Sequence, residues 1–196
     1  MKRFLFSVLV CWLAVPFFAA ESARSGTVAL PAGIGGIALG MSLDEVKAAL
    51  KKNHEFGYRG DRDVSFSPSD GQTLIETDGR WPNGWLKTDT SIDPPSYFER
   101  CWFQFVDGKL YIITVNLNQK KIDYYSIFKT LCEKYGKPDQ LSPRKSQWSD
   151  ENVLMSVERP LSLKYIDAKT FNERQEAANV QKTIGEQNRD AFLDGL

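Results

Sequence analysis

The alternation of apolar and polar positions is sharpest between Tyr97 and Asn118, where two strand-like runs flank Asp107-Gly108. An Asp-Gly pair suits the two-residue hairpin turn in which both central residues take positive φ. That turn predicts a register. On one face it sets Phe105 opposite Leu110, Phe103 opposite Ile112 and Cys101 opposite Thr114. On the other it sets Gln104 opposite Tyr111, Trp102 opposite Ile113, Arg100 opposite Val115 and Phe98 opposite Leu117. The first reads as a core face and the second as an apolar face with polar interruptions.

Elsewhere the period lengthens to that of a helix. Ser42 stands three residues before Glu45 in a capping box, and Leu43, Val46 and Leu50 recur on one side. A second helix is expected from Ile122 to Tyr135, with Tyr124, Phe128, Leu131 and Tyr135 as its stripe, Cys132 beside them, and Gly136 and Pro138 as its stop. Its stripe is expected to cover the hairpin. Short strands are predicted at Asp63 to Ser67, Thr73 to Thr77, Ser146 to Trp148, Val153 to Glu158 and Leu161 to Ile166. From Ala168 to Phe192 the chain reads as a long polar helix, in which Phe171, Val180, Ile184 and Phe192 are too sparse for a continuous buried stripe.

One helix followed by a meander therefore occurs twice, from Ser42 to Asn118 and from Ile122 to Ile166. The expected class is α+β: a mainly antiparallel sheet with helices on one face, a doubled helix-plus-meander unit and a long polar C-terminal helix. The expected divisions are a flexible lead-in over 23–40 with a Gly-rich run at 33–36, an α+β domain over 41–167, and a C-terminal helix or arm over 168–196.

The first residues carry a different signal. Lys2 and Arg3 precede an uncharged apolar stretch from Phe4 to Ala20, and small residues follow at Ala19, Ala20, Ser22 and Ala23. This is the pattern of a secretory signal, with cleavage expected after Ser22 or after Ala20. As a helix the stretch would rise only about 25 Å, short of a hydrocarbon core of about 30 Å, so no stable membrane span is expected. Cys11 follows Val10 rather than a small residue and lies inside the apolar run, which does not suit lipid attachment. The mature chain is expected to be periplasmic or secreted.

Charge adds little. Twenty-five basic residues balance 25 acidic ones, so no basic field is present to hold nucleic acid. Export changes the reading of the cysteines. Cys101 and Cys132 are the pair outside the signal, and an oxidising compartment predicts a disulfide between them, the alternative being two buried thiols.

Candidate chemistry is sparse. His54 is the only histidine, so a site of several imidazoles is excluded, and a surface position at the end of the first helix is expected for it. Asp61, Asp63 and Ser65 imitate the start of a calcium loop, but Phe66 replaces the Gly that its turn requires. No nucleophile elbow and no dinucleotide fingerprint is present. An enzyme is therefore not expected, and neither a cofactor nor a metal. The candidate binding residues are aromatic: Trp81 and Trp85 on a turn-rich segment, with Phe98, Trp102 and Tyr111 on the second hairpin face.

The segment Ile37-Ala38-Leu39-Gly40-Met41-Ser42-Leu43-Asp44-Glu45-Val46 resembles the opening helix of small exported bacterial proteins of the BamE or SmpA type. Leu131 to Pro138 resembles their Tyr-Gly-x-Pro helix ending. The doubled plan is similar to the beta-lactamase inhibitor protein fold, to which that group belongs. The resemblance implies a fold more than a function. The expected role is an exported, non-enzymatic protein that binds an envelope protein or a surface polymer. The alternatives are a small-ligand carrier and an enzyme of unrecognised type.

Overall fold

The computed structural model describes residues 28–68, 71–79 and 96–194. The signal residues 1–22, and Trp81 and Trp85, lie outside the described residues. Among the described residues no helix is long and apolar enough to cross a membrane.

The elements follow in the order β1 (Gly33–Ile34), β2 (Ile37–Ala38), α1 (Leu43–Lys52), β3 (Val64–Ser67), β4 (Gln72–Asp78), β5 (Phe98–Val106) and β6 (Lys109–Leu117). The second half holds α2 (Tyr124–Tyr135), β7 (Gln140–Leu141), β8 (Lys145–Ser149), β9 (Val153–Glu158), β10 (Ser162–Asp167) and α3 (Ala168–Asp194). The class is α+β. Eight strands form one sheet in the order β3-β4-β5-β6-β10-β9-β8-β7, and every neighbouring pair is antiparallel. Helices α1 and α2 are each followed by a four-stranded meander, and the last strands of the two meanders, β6 and β10, pair at the centre.

Packing follows from the sequence pattern. The capping box at Ser42 and Glu45 starts α1, whose Val46 and Leu50 join Ile75, Phe103, Ile113, Met155 and Val157 in one core. Helix α2 lies over β9 in its own meander, so it does not cover the β5–β6 hairpin as its stripe suggested. The small β1–β2 ribbon buries Ile37 in the same core.

The Asp107-Gly108 turn forms as expected, with φ of 49° and 72°. The register is correct at its ends, where Phe105 faces Leu110 and Phe98 faces Leu117, but it shifts by one residue between Gln104–Ile112 and Arg100–Asn116. Tyr111 is the extra residue on β6 and Glu99 the extra residue on β5, so two bulges compensate each other. In consequence Ile113 and Val115, not Ile112 and Thr114, point into the core beside Phe103 and Cys101.

The disulfide expected between Cys101 and Cys132 does not form; both thiols are free. Cys101 lies on β5, while the helix bearing Cys132 lies over β9. Three strand spacings separate β5 from β9, about 14 Å, and bridged Cα atoms sit about 4.4–6.8 Å apart. Burial pushes the Cys101 thiol up to about 12 and also raises that of Cys132. Native alkylation is therefore expected to label Cys132 slowly, and Cys101 only after unfolding. Peptide mapping and intact mass should show two alkylated thiols and no 2 Da deficit. A bridged pair in protein from its own host would contradict this placement of α2.

At one end of the sheet the β8–β9 turn, Asp150 to Asn152, gathers two distant pieces of chain. The Leu30 amide donates to Asp150 Oδ2 at 3.0 Å, and the Ala168 amide at the root of α3 donates to the Asn152 carbonyl at 2.9 Å. Beyond Arg174, every side chain of α3 that is described is exposed.

Candidate functional site

The helix over the second meander leaves a gap at its N-terminal end. Asp123 caps α2, accepting from the Ser126 amide at 3.0 Å and the Ser126 hydroxyl at 2.6 Å, and these bonds hold its carboxyl below the usual range. One residue on, Tyr124 turns toward the sheet. Its hydroxyl meets the buried Ser146 Oγ at 3.0 Å. Its ring stacks with Phe128, which in turn packs against Trp148. Trp148 Nε1 donates to the Gly136 carbonyl at 2.8 Å and so pins the far end of the helix.

Two turns close the other walls. The β7–β8 turn brings Leu141, Ser142 and Pro143, and the β9–β10 turn brings Arg159 and Pro160 through a cis peptide bond. The result is an open cleft of about 620 Å³. Its walls are mostly rings and aliphatic groups, and Tyr125 and Leu141 at the mouth are each 69% exposed.

Arg159 is the charged group held in place there. Its guanidinium lies 4.5 Å from the centroid of Tyr124, its Nε donates to the Pro143 carbonyl at 3.1 Å, and its amide donates to the Arg144 carbonyl at 2.9 Å. A stacked guanidinium with Nε occupied is fixed in orientation. Among the described residues no carboxylate pairs with it. The other polar groups are largely committed. Asp123 serves the helix start, Ser146 serves Tyr124, and Ser142 accepts from the Arg144 and Lys145 amides. The cleft can therefore take an apolar body carrying one negative charge.

Of the described aromatic residues expected to form a surface, Phe98 leaves the face of Trp102 and Tyr111 is buried. Phe98 stacks on Phe56 at 4.8 Å and packs against the core, because the bulge at Glu99 turns it to the helix side. Trp102 is half-buried on the opposite sheet face, with Arg100 5.8 Å from its ring. Arg100 is itself engaged by Glu76 at 3.0 Å and Asp78 at 3.6 Å. Tyr111 is only 6% exposed; its hydroxyl donates to Gln72 at 3.0 Å and Arg174 lies over its ring.

His54 is exposed in the turn after α1. Asp61 and Asp63 hold cations of the protein itself, Lys47 at 2.8 Å and Arg59 at 2.7 Å. Sequence reasoning found Tyr124 and Phe128 as a helical stripe but missed the cleft. Arg159 lies 35 residues further on, in what read only as a separator before the last strand.

The family model of the TP0088 domain matches residues 32–177, most of the chain, and the chain belongs to that family. No curated protein and no solved structure matches it.

Proposed function

We propose that this TP0088-domain protein is exported and non-enzymatic, and that it binds a segment of an envelope protein in the cleft between α2, the β7–β8 turn and the β9–β10 turn. The cleft carries the reading: it joins exposed apolar rings at the mouth to a fixed, unpaired guanidinium at the wall. An open groove suits a partner's chain, whereas a carrier encloses most of a small ligand's surface. The signal-like N-terminus supports export. The doubled plan of helix and meander supports the likeness to the beta-lactamase inhibitor protein fold. The raised thiols of Cys101 and Cys132 leave neither as an activated nucleophile at neutral pH, which supports a role without catalysis.

A photo-crosslinking residue placed at Tyr125 and, as a control, at Phe66 on the distant β3 strand tests the reading in the native host. Both positions are exposed. The Tyr125 probe is expected to yield a discrete envelope adduct that the Phe66 probe does not, and Leu141→Asp should remove it. Identical patterns from the two probes, or an adduct indifferent to Leu141→Asp, would exclude the cleft. The N-terminal residue of the recovered protein reports export, with Ala23 expected after cleavage following Ser22.

A further inference from the structure

The geometry points to a more specific ligand. We propose that the cleft holds the free C-terminal end of a polypeptide whose last side chain is apolar, with the terminal carboxylate on the Nη atoms of Arg159. This rests on the binding role put forward above. With Nε tied to the Pro143 carbonyl and one face against Tyr124, the guanidinium has its outer edge free, and that edge matches a carboxylate in a two-bond fork.

The charge of the cleft favours this ligand. One cation faces the cleft while Asp123 also lines it, which suits a single negative charge and disfavours a phosphate dianion. Distance favours the same ligand. A terminal carboxylate sits on the same carbon as its side chain, so the acid and the apolar group arrive together. The structure likewise sets Arg159 directly beside the apolar walls made by Phe128, Leu141, Pro143 and Pro160. An internal Asp or Glu would instead bring two further chain directions and a polar stem. Of the other polar side chains lining the cleft, Asp123, Ser142 and Ser146 are engaged within the protein and Gln119 remains, which leaves few partners for the many hydroxyls of a sugar polymer. Capture of a chain end by its carboxylate is an established mode of peptide recognition.

Calorimetric titration of the mature protein with acetyl-Ser-Gly-Ser-Ala-Leu, as free acid and as C-terminal amide, tests the proposal. The acid is expected to bind at least tenfold more tightly. Arg159→Gln should bring it down to the level of the amide, and Arg159→Lys, which keeps the charge but loses the fork, should recover only part of the difference. Arg159 is exposed, and near-UV circular dichroism verifies that each variant keeps its packing.

Equal binding of acid and amide overturns the proposal; if Leu141→Asp then weakens both alike, the cleft remains a binding site and only the ligand chemistry fails. Displacement by 4-methylpentanoate at the same concentration as the peptide acid overturns it in favour of a free organic acid. Absence of binding by either peptide at millimolar concentration overturns it as well. The role of the cleft is then decided independently by crosslinking from Tyr125.

Discussion

Gly79→Ala is expected to destabilise the protein by about 3 kcal/mol or more, with a midpoint of thermal unfolding about 10 °C lower. Gly79 follows β4 at the point where β5 bulges at Glu99. Its amide donates to the Glu99 carbonyl at 2.9 Å, and it forms a bridge with Phe56 on its other side. A Cβ built there would lie 1.7 Å from the Phe98 carbonyl oxygen. That neighbour is backbone held in the sheet, so it cannot rotate away as a side chain would. Relief requires parting β4 from β5, which would also disturb the Phe56–Phe98 stack. Gly108→Ala is the control: it sits in the β5–β6 turn with open space around the added carbon and suffers only from a φ of 72°, a cost of about 1 kcal/mol. Urea unfolding of the two variants should separate them clearly. Equal losses would mean that the strands do not approach this closely and that the bulge at Glu99 is misplaced.

Removal of the Asp150 carboxylate carries the second large effect. Oδ1 accepts from the Asn152 and Val153 amides at 2.8 and 2.7 Å, and Oδ2 accepts from Leu30 at 3.0 Å. Asp150→Ala leaves all three donors without this partner and is expected to cost about 2–3 kcal/mol. Asp150→Asn separates the two functions of the side chain. Its single oxygen can keep the turn, but its amide nitrogen cannot accept from Leu30, so the chain near Leu30 should become protease-sensitive while most of the stability remains.

The same group gives a pH dependence. Partial burial raises its pKa, but the backbone donors of Asn152, Val153 and Leu30 outweigh burial and leave it below the ordinary 3.8. A depressed pKa in the folded state contributes stability that is fully present above the unfolded value and is lost as pH falls through the folded one. Wild-type protein should therefore lose more stability than Asp150→Asn as pH drops below about 4. Parallel acid profiles would show that the three donors do not engage the carboxylate.

The strands and helices were legible because their patterns are local. The capping box at Ser42, the Asp107-Gly108 turn and the Gly136-x-Pro138 stop each act within a few residues. The bulge was also written in the sequence, though in a different phase from the turn. Along β6 the apolar Ile113, Val115 and Leu117 alternate with the polar Thr114 and Asn116, which by itself assigns Ile113 and Val115 to the core. Counting outward from the turn assigned the opposite parity, and the burial pattern won because it governs many more contacts than one turn. Counting from the turn also missed the bulge at Glu99, which takes Phe98 off the face of Trp102. The position of α2 was less legible. An amphipathic stripe states how much a helix buries, not which of two similar meanders receives it. The cleft depends on that choice and on two turns far apart in sequence, so no local pattern announces it.

The β8–β9 turn has a geometric consequence for use and for orientation in the cell. Strands β8 and β9 run between it and the two turns that wall the cleft, and six extended residues span about 20 Å. Leu30 and the root of α3 both meet the protein at that far turn. A tether joined upstream of Leu30 would thus leave from the end opposite the cleft. On a membrane, a bead or a sensor surface it would hold the cleft at the end away from the support.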